Sequence, residues 1–160
     1  MALYGFHSWG PEIVRVPRVL AFGERPDGRM RERARQLTPV GYSRLGAAIR
    51  HGTAVLRERA GTPHRLLVVI SDALAYDNGY EGAYAHADTR MALAEARAAN
   101  TASVCLSIGA STGADALTRV FGGSHFLALP DVLGGERALR HMFERAVARS
   151  SHRRVARAHG

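Results

Sequence analysis

The chain has 160 residues, 46% hydrophobic and 22% charged, with 22 Lys+Arg against 14 Asp+Glu and a net charge of +8. This is the composition of one soluble globular domain with room for a core. No apolar run reaches the roughly 18 residues of a membrane span, and Met1-Ala2-Leu3-Tyr4-Gly5 lacks the charged-then-apolar layout of a signal peptide, so a cytoplasmic location is expected.

The first expected strand is Leu3-Tyr4-Gly5-Phe6. A second covers Ile13 to Phe22, where Pro17 suits an edge position. A polar stretch with Gly23, Pro26 and Gly28 follows, then a short charged helix over Arg29 to Leu37. Ser43 is placed to cap the next helix, whose Leu45, Ala48, Ile49, Ala54 and Val55 approximate a 3.6-residue repeat until Gly61-Thr62-Pro63. Leu66-Leu67-Val68-Val69-Ile70 is short, apolar and rich in β-branched residues, which predicts a strand covered on both faces of a parallel sheet. A loop without periodicity extends from Ala73 to Ala87, and Asp88 is expected to cap a helix reaching Asn100. Strands at Ser103–Ile108 and Phe126–Leu129 bracket a short helix near Ala114–Phe121, and a last helix is expected over Glu136 to Arg149. Strand and helix alternate from residue 45 onward, which predicts an α/β layered domain over 1–149 with a basic, flexible tail at 150–160.

Every Lys+Arg position is Arg. The arginines alternate with Glu along helices, as in Arg57-Glu58-Arg59, the pattern of a solvated face. A basic nucleic-acid-binding module is the alternative from another class. The absence of lysine rules out a Gly-x-x-x-x-Gly-Lys phosphate loop. No zinc-ligand spacing of His or Cys occurs, and Gly109-Ala110-Ser111-Thr112-Gly113 reads as a small-residue loop after a strand. Cys105, the single cysteine, falls in an apolar strand and reads as a packed thiol. No enzymatic activity is expected.

Asp72 directly follows the 66–70 strand, at the sheet edge where open α/β folds place ligands. Ser43 precedes a helix, where it serves either as a cap or as a hydroxyl ligand. Together they are hard oxygen donors of the type Mg²⁺ takes. Asp77 and Glu81 read either as solvated loop acids or as a rim that shapes partner contact or orients Arg residues. Tyr76, Tyr80 and Tyr84 recur every four residues, either packing the loop down or forming a recognition surface. Arg44 is a surface cation or pairs with an acid such as Asp72 or Glu81.

The segment Tyr42-Ser43-Arg44-Leu45-Gly46-Ala47-Ala48-Ile49-Arg50-His51 resembles the part of von Willebrand factor A domains that supplies the threonine of the metal-ion-dependent adhesion site, with Ser43 at the threonine's position. Leu67-Val68-Val69-Ile70-Ser71-Asp72 resembles the strand that supplies its aspartate. Tyr80-Glu81-Gly82, Tyr84 and Asp88-Thr89-Arg90 follow at the spacing of the branch similar to NorD and CbbO. The resemblance implies a Rossmann-like fold, mostly parallel, flanked by helices. It implies a protein-interaction role beside a MoxR-type AAA+ ATPase and the target enzyme that the ATPase activates or matures. Ser43 and Asp72 would then be metal ligands for Mg²⁺ or another divalent cation, with Arg44, Asp77, Tyr80 and Glu81 near the partner face.

The family's Asp-x-Ser-x-Ser motif is missing from this sequence, and the chain starts at what resembles the family's second strand. The expectation is therefore a domain lacking its first, central strand and holding half a metal site, as an N-terminal truncation would leave it. A metal-free scaffold and a non-functional fragment are the neighbouring alternatives. The vacant sheet position would be handled either by the flanking strands closing up or by another chain.

Overall fold

The computed structural model describes residues 1–72, 75–108, 114–122 and 125–129, together with 140, 141 and 144. It is a mixed α/β structure. Four short strands lead, β1 (Leu3–Tyr4), β2 (His7–Trp9), β3 (Ile13–Arg15) and β4 (Arg18–Leu20), followed by α1 (Gly28–Arg35) and α2 (Leu45–Arg59). Then β5 (Arg65–Ser71), α3 (Gly82–Ala98), β6 (Thr101–Ile108), α4 (Ala114–Phe121) and β7 (His125–Leu129) alternate.

The first four strands make a bulged antiparallel hairpin. His7, Ser8 and Trp9 pair with Arg15, Val14 and Ile13, and Leu3 pairs with Leu20. The strand expected over 13–22 is split at Val16-Pro17. Proline has no N–H to give a ladder, and here its carbonyl accepts instead from Gly5 N–H at 2.9 Å. α1 starts where expected, because the Asp27 side chain accepts from Met30 N–H at 2.9 Å and caps it.

β5, β6 and β7 form a parallel three-stranded sheet in that order. Alternation along each strand feeds two faces. Val69, Cys105 and Phe126 stand in one cross-strand row facing the helices, where Leu45 and Ile49 of α2, Leu93 of α3 and Leu117, Val120 and Phe121 of α4 close the main core. Val104 and Leu106 face the other way with Leu66, Val68 and Leu127. Two apolar faces explain why the 66–70 run shows no polar alternation. Cys105 is fully buried, and burial pushes its thiol up to about 12, so it packs as a small apolar group.

Among the described residues β5 pairs with β6 only, and the hairpin strands pair with each other and not with β5. The flanking strands therefore do not close up on one another. The edge position shows in Ile70, which is 51% exposed while its partner Leu106 is 4% exposed.

Two expectations change in the middle of the chain. Ser43 does not occupy the capping position of α2: that position is Arg44, whose side chain makes no cap hydrogen bond. α3 begins at Gly82, so Asp88 lies inside the helix and not at its start. The first turns of α3, Gly82 to Ala87, alternate Ala with Gly, Tyr and His and carry no apolar helical repeat. Their helix is fixed by packing, because Ala85, Thr89, Ala92 and Ala96 form a stripe of small buried residues along one side of α3. The helix expected over 136–149 lies outside the described residues except for Arg140, His141 and Glu144, which are helical. The Gly109–Gly113 loop and the 150–160 tail also lie outside them.

Gly46 sits where α2 meets α3. A Cβ there would run into the Asp88 carboxylate and come within 3.1 Å of the Tyr80 hydroxyl. Gly46→Ala is expected to destabilise the fold by about 1–3 kcal/mol through overpacking, read as a lower urea midpoint at unchanged slope.

Candidate functional site

α2 runs against β5 in the opposite direction. A Cβ on Gly52 would touch Leu67 in mid-strand, while Ser43 N–H, just before the helix, donates to the Tyr76 carbonyl at 2.8 Å beyond the strand's end. The start of α2 and the exit of β5 are therefore brought to one edge of the sheet. Ser43 is half-buried there and Asp72 is exposed immediately after β5.

Beside them lies a buried ionic knot. Asp77 has no exposed surface. Its Oδ1 accepts from Gly10 N–H at 2.9 Å and Asn78 N–H at 2.7 Å, and its Oδ2 accepts from Arg44 Nε at 3.0 Å. Arg44 also donates through Nη2 to the Asn78 carbonyl at 2.8 Å, and its guanidinium lies 4.9 Å from the centre of the Tyr80 ring. Asp77 and Tyr80 exchange both backbone hydrogen bonds across the Asn78-Gly79 turn. Arg44 thus pairs with Asp77, neither of the two acids named as its partners from sequence, and Asp77 is no solvated loop acid.

The knot continues into the helices. The Tyr80 hydroxyl accepts from Gly46 N–H at 3.1 Å and donates to Asp88 Oδ2 at 2.6 Å. Asp88 Oδ1 accepts from Arg50 Nη1 at 2.8 Å, and Arg50 grips Glu95 with two bonds of 2.7 and 3.2 Å. Burial, reinforced by Asp88, pushes the Tyr80 phenol up to about 12. For Asp77, burial acts to raise the carboxyl pKa. Hydrogen bonds from Gly10, the Ser8 hydroxyl, Asn78 and Arg44 together outweigh it and hold the group below the usual carboxylate value.

The N-terminal hairpin is fastened to the same point. Ser8 and Tyr42 exchange backbone hydrogen bonds of 2.8 Å in each direction. Gly41 allows this approach: its φ is +69°, and a Cβ would lie 2.6 Å from the Ser8 carbonyl. The docking leaves a cleft of about 470 Å³ lined by Trp9, Gly10, Tyr42, Tyr76, Asp77 and Asn78. Trp9, Tyr42 and Tyr76 are 40%, 47% and 49% exposed, and Tyr42 meets Tyr76 edge-to-face at 5.5 Å. Trp9 and Tyr42 carried no signal as site residues in the sequence, because they reach the cleft from the hairpin tip and the α1–α2 connection.

Of the residues singled out from sequence, Arg44, Asp77 and Tyr80 are brought into direct contact, all of them inside the chain. Glu81 is exposed at the start of α3. Ser43 and Asp72 share the sheet edge. Among the described residues no three His, Cys, Asp or Glu side chains converge as a metal group would require. One hydroxyl and one carboxylate are an incomplete set for a tightly held hard cation.

Fold and site together define a mixed α/β protein whose parallel sheet presents, at its carboxyl edge, an aromatic cleft secured by a buried ion pair. In sequence the chain is similar to proteins named NorD. It is 34% identical to Protein NorD of Stutzerimonas stutzeri over 131 residues, 81% of this chain and 21% of that protein. It is 40% identical to NorD of Brucella suis over 92 residues, 57% of this chain and 14% of that protein. An uncharacterized protein of Pseudomonas aeruginosa is 40% identical over 128 residues, 78% of this chain and 20% of that protein. The chain thus spans about a fifth of the length of the first two of these relatives or less. No family model matches the sequence, and no solved structure matches it. Among the described residues no helix is long and apolar enough to cross a membrane.

Replacing the buried carboxylate separates its charge from its shape. Asp77→Asn is expected to cost about 3 kcal/mol at pH 7, because Arg44 keeps its charge without its partner. The folded pKa of Asp77 lies below its unfolded value near 3.9. Its contribution is therefore fully present above about pH 4 and fades as pH falls through the folded value. Urea unfolding from pH 7 to pH 2.5 should show the wild-type chain and Asp77→Asn converging in stability at the acid end.

Proposed function

We propose that this chain is a non-enzymatic interaction domain of a NorD-like accessory protein, and that it meets its partner at the carboxyl edge of the sheet. The observation that supports this most directly is the aromatic cleft. Three large rings stand nearly half exposed around a concavity, and the pair beneath them, Arg44–Asp77, is spent on holding them in place. Tyrosine and tryptophan bring large contact area at little entropic cost, and such residues dominate binding energy in protein interfaces. In this reading Arg44, Asp77 and Tyr80 support the contact face from below, and Glu81 lies on its rim. The von Willebrand factor A resemblance and the NorD-named relatives support a MoxR-type AAA+ ATPase and the enzyme it remodels as the partners.

Binding of purified MoxR-type ATPase tests this. Trp9→Ala and Tyr76→Ala should each weaken the complex by at least about tenfold, with unfolding midpoints close to wild type. A complex unaffected by both substitutions would move the interface elsewhere.

Ser43 and Asp72 stand in the same proposal as a partial site for Mg²⁺ or another divalent cation. With one charge and one hydroxyl, affinity of the isolated chain should be weak, in the millimolar range or poorer by comparison with fuller carboxylate sites. A carboxylate from the partner would supply a further oxygen. Calorimetric titration with Mn²⁺ should give a weak signal that Asp72→Ala abolishes. Binding that survives Asp72→Ala would remove the metal from this edge.

A further inference from the structure

A second concavity shares no lining residue with the aromatic cleft. It measures about 500 Å³ and is lined by Tyr4, Arg18, Arg33, His51, Val55 and Arg59. These residues come from four elements. Tyr4 and Arg18 are cross-strand partners in the β1–β4 ladder. Arg33 lies in the last turn of α1. His51, Val55 and Arg59 follow at intervals of four on one side of α2.

Three guanidinium groups and an imidazole thus converge on a space whose lining contains no carboxylate. Among the described residues Glu24 stands close by: its Oε2 meets Arg33 Nη2 at 3.2 Å and accepts from Ala21 N–H at 3.0 Å, and its charge is also felt by Arg18. It offsets a single positive charge. Arg33 Nε is buried without a hydrogen-bond partner. Arg18 and Arg59 are exposed. Like charges gathered in this way repel each other, and a multivalent anion would relieve the repulsion while satisfying several N–H donors at once.

We propose that this concavity is a binding site for a compact phosphoanion carrying at least two phosphate groups. Arginine forks match phosphate oxygens two at a time. The groups reach one concavity from four separate elements, which suits a small dense anion better than an extended acidic peptide. The volume falls within the roughly 300–1,000 Å³ of small-molecule sites. Tyr4 and His51, edge-to-face at 6.2 Å, give it an aromatic wall, and Val55 adds an apolar contact. The site is separate from the sheet edge, and its occupancy does not depend on the interaction proposed there.

Pyrophosphate titrated calorimetrically into the wild-type chain at low salt is the direct test. Binding in the submillimolar range is expected, and Arg18→Gln and Arg59→Gln should each weaken it by at least about fivefold. Arg57→Gln is the control: it removes the same charge from the same last turn of α2, outside this lining, and should leave affinity within about twofold. Exposed Arg18 and Arg59 have no role in the core, so far-ultraviolet circular dichroism should match wild type. Absence of pyrophosphate binding overturns the proposal. So does an Arg57→Gln effect equal to that of Arg59→Gln, which would mean diffuse charge. Tighter binding of a glutamate-rich peptide of matched charge, sensitive to the same two arginines, also overturns it in favour of a polypeptide ligand.

Discussion

Asp77 carries a full charge with no exposed surface, and the carboxyl edge of the sheet is arranged around that fact. A buried carboxylate survives only if its oxygens are fully used. Here they are used by three separate parts of the chain: the hairpin tip through Gly10, the turn through Asn78, and the start of α2 through Arg44. A buried pair of this kind adds little net stability compared with an apolar replacement. Its effect is to fix position. The hairpin cannot slide on the α/β layer without stranding the carboxylate, and Trp9 cannot leave the cleft without moving the hairpin.

The same logic carries inward. Tyr80 stacks under Arg44 with one end of its ring system and reaches Asp88 with its hydroxyl, and Asp88 hands the chain of contacts to Arg50 and Glu95. α2, α3 and the loop after β5 are therefore joined by polar contacts on top of their shared apolar core. The arrangement leaves aromatic rings facing solvent while the charged groups are turned inside, the reverse of an ordinary surface. That inversion is the physical basis for reading this edge as a contact face.

Two surfaces with different chemistry result. One is aromatic and sits where the parallel strands end. The other is cationic and sits where the hairpin crosses α1 and α2. The hairpin contributes to both, Trp9 and Gly10 to the first and Tyr4 and Arg18 to the second. Similarity to NorD-named proteins covers most of this chain but only about a fifth of the longer relatives.

Strands and helices packed by apolar periodicity were legible in the residues themselves. The 65–71 and 101–108 strands and the 114–121 helix follow from local pattern, because burial on both sheet faces leaves an unbroken apolar run and burial on one helix face leaves a repeat. The start of α3 was not legible, since an alanine-rich turn has no such pattern and its helix depends on the strand beneath it. Nor was the break at Pro17 in full, or the identity of Arg44's partner. Asp77 looks like any loop acid in one dimension. It becomes a buried anchor only because the fold brings Gly10, from 67 positions earlier, and Arg44, from 33 positions earlier, to its two oxygens. The sequence by itself determined the α/β order, the place of the sheet edge and the inert setting of Cys105, because these rest on short-range patterning. Which charges are buried, which rings are exposed and which arginines meet were decided by tertiary structure alone, because each depends on contacts between residues too far apart in the chain for local pattern to encode.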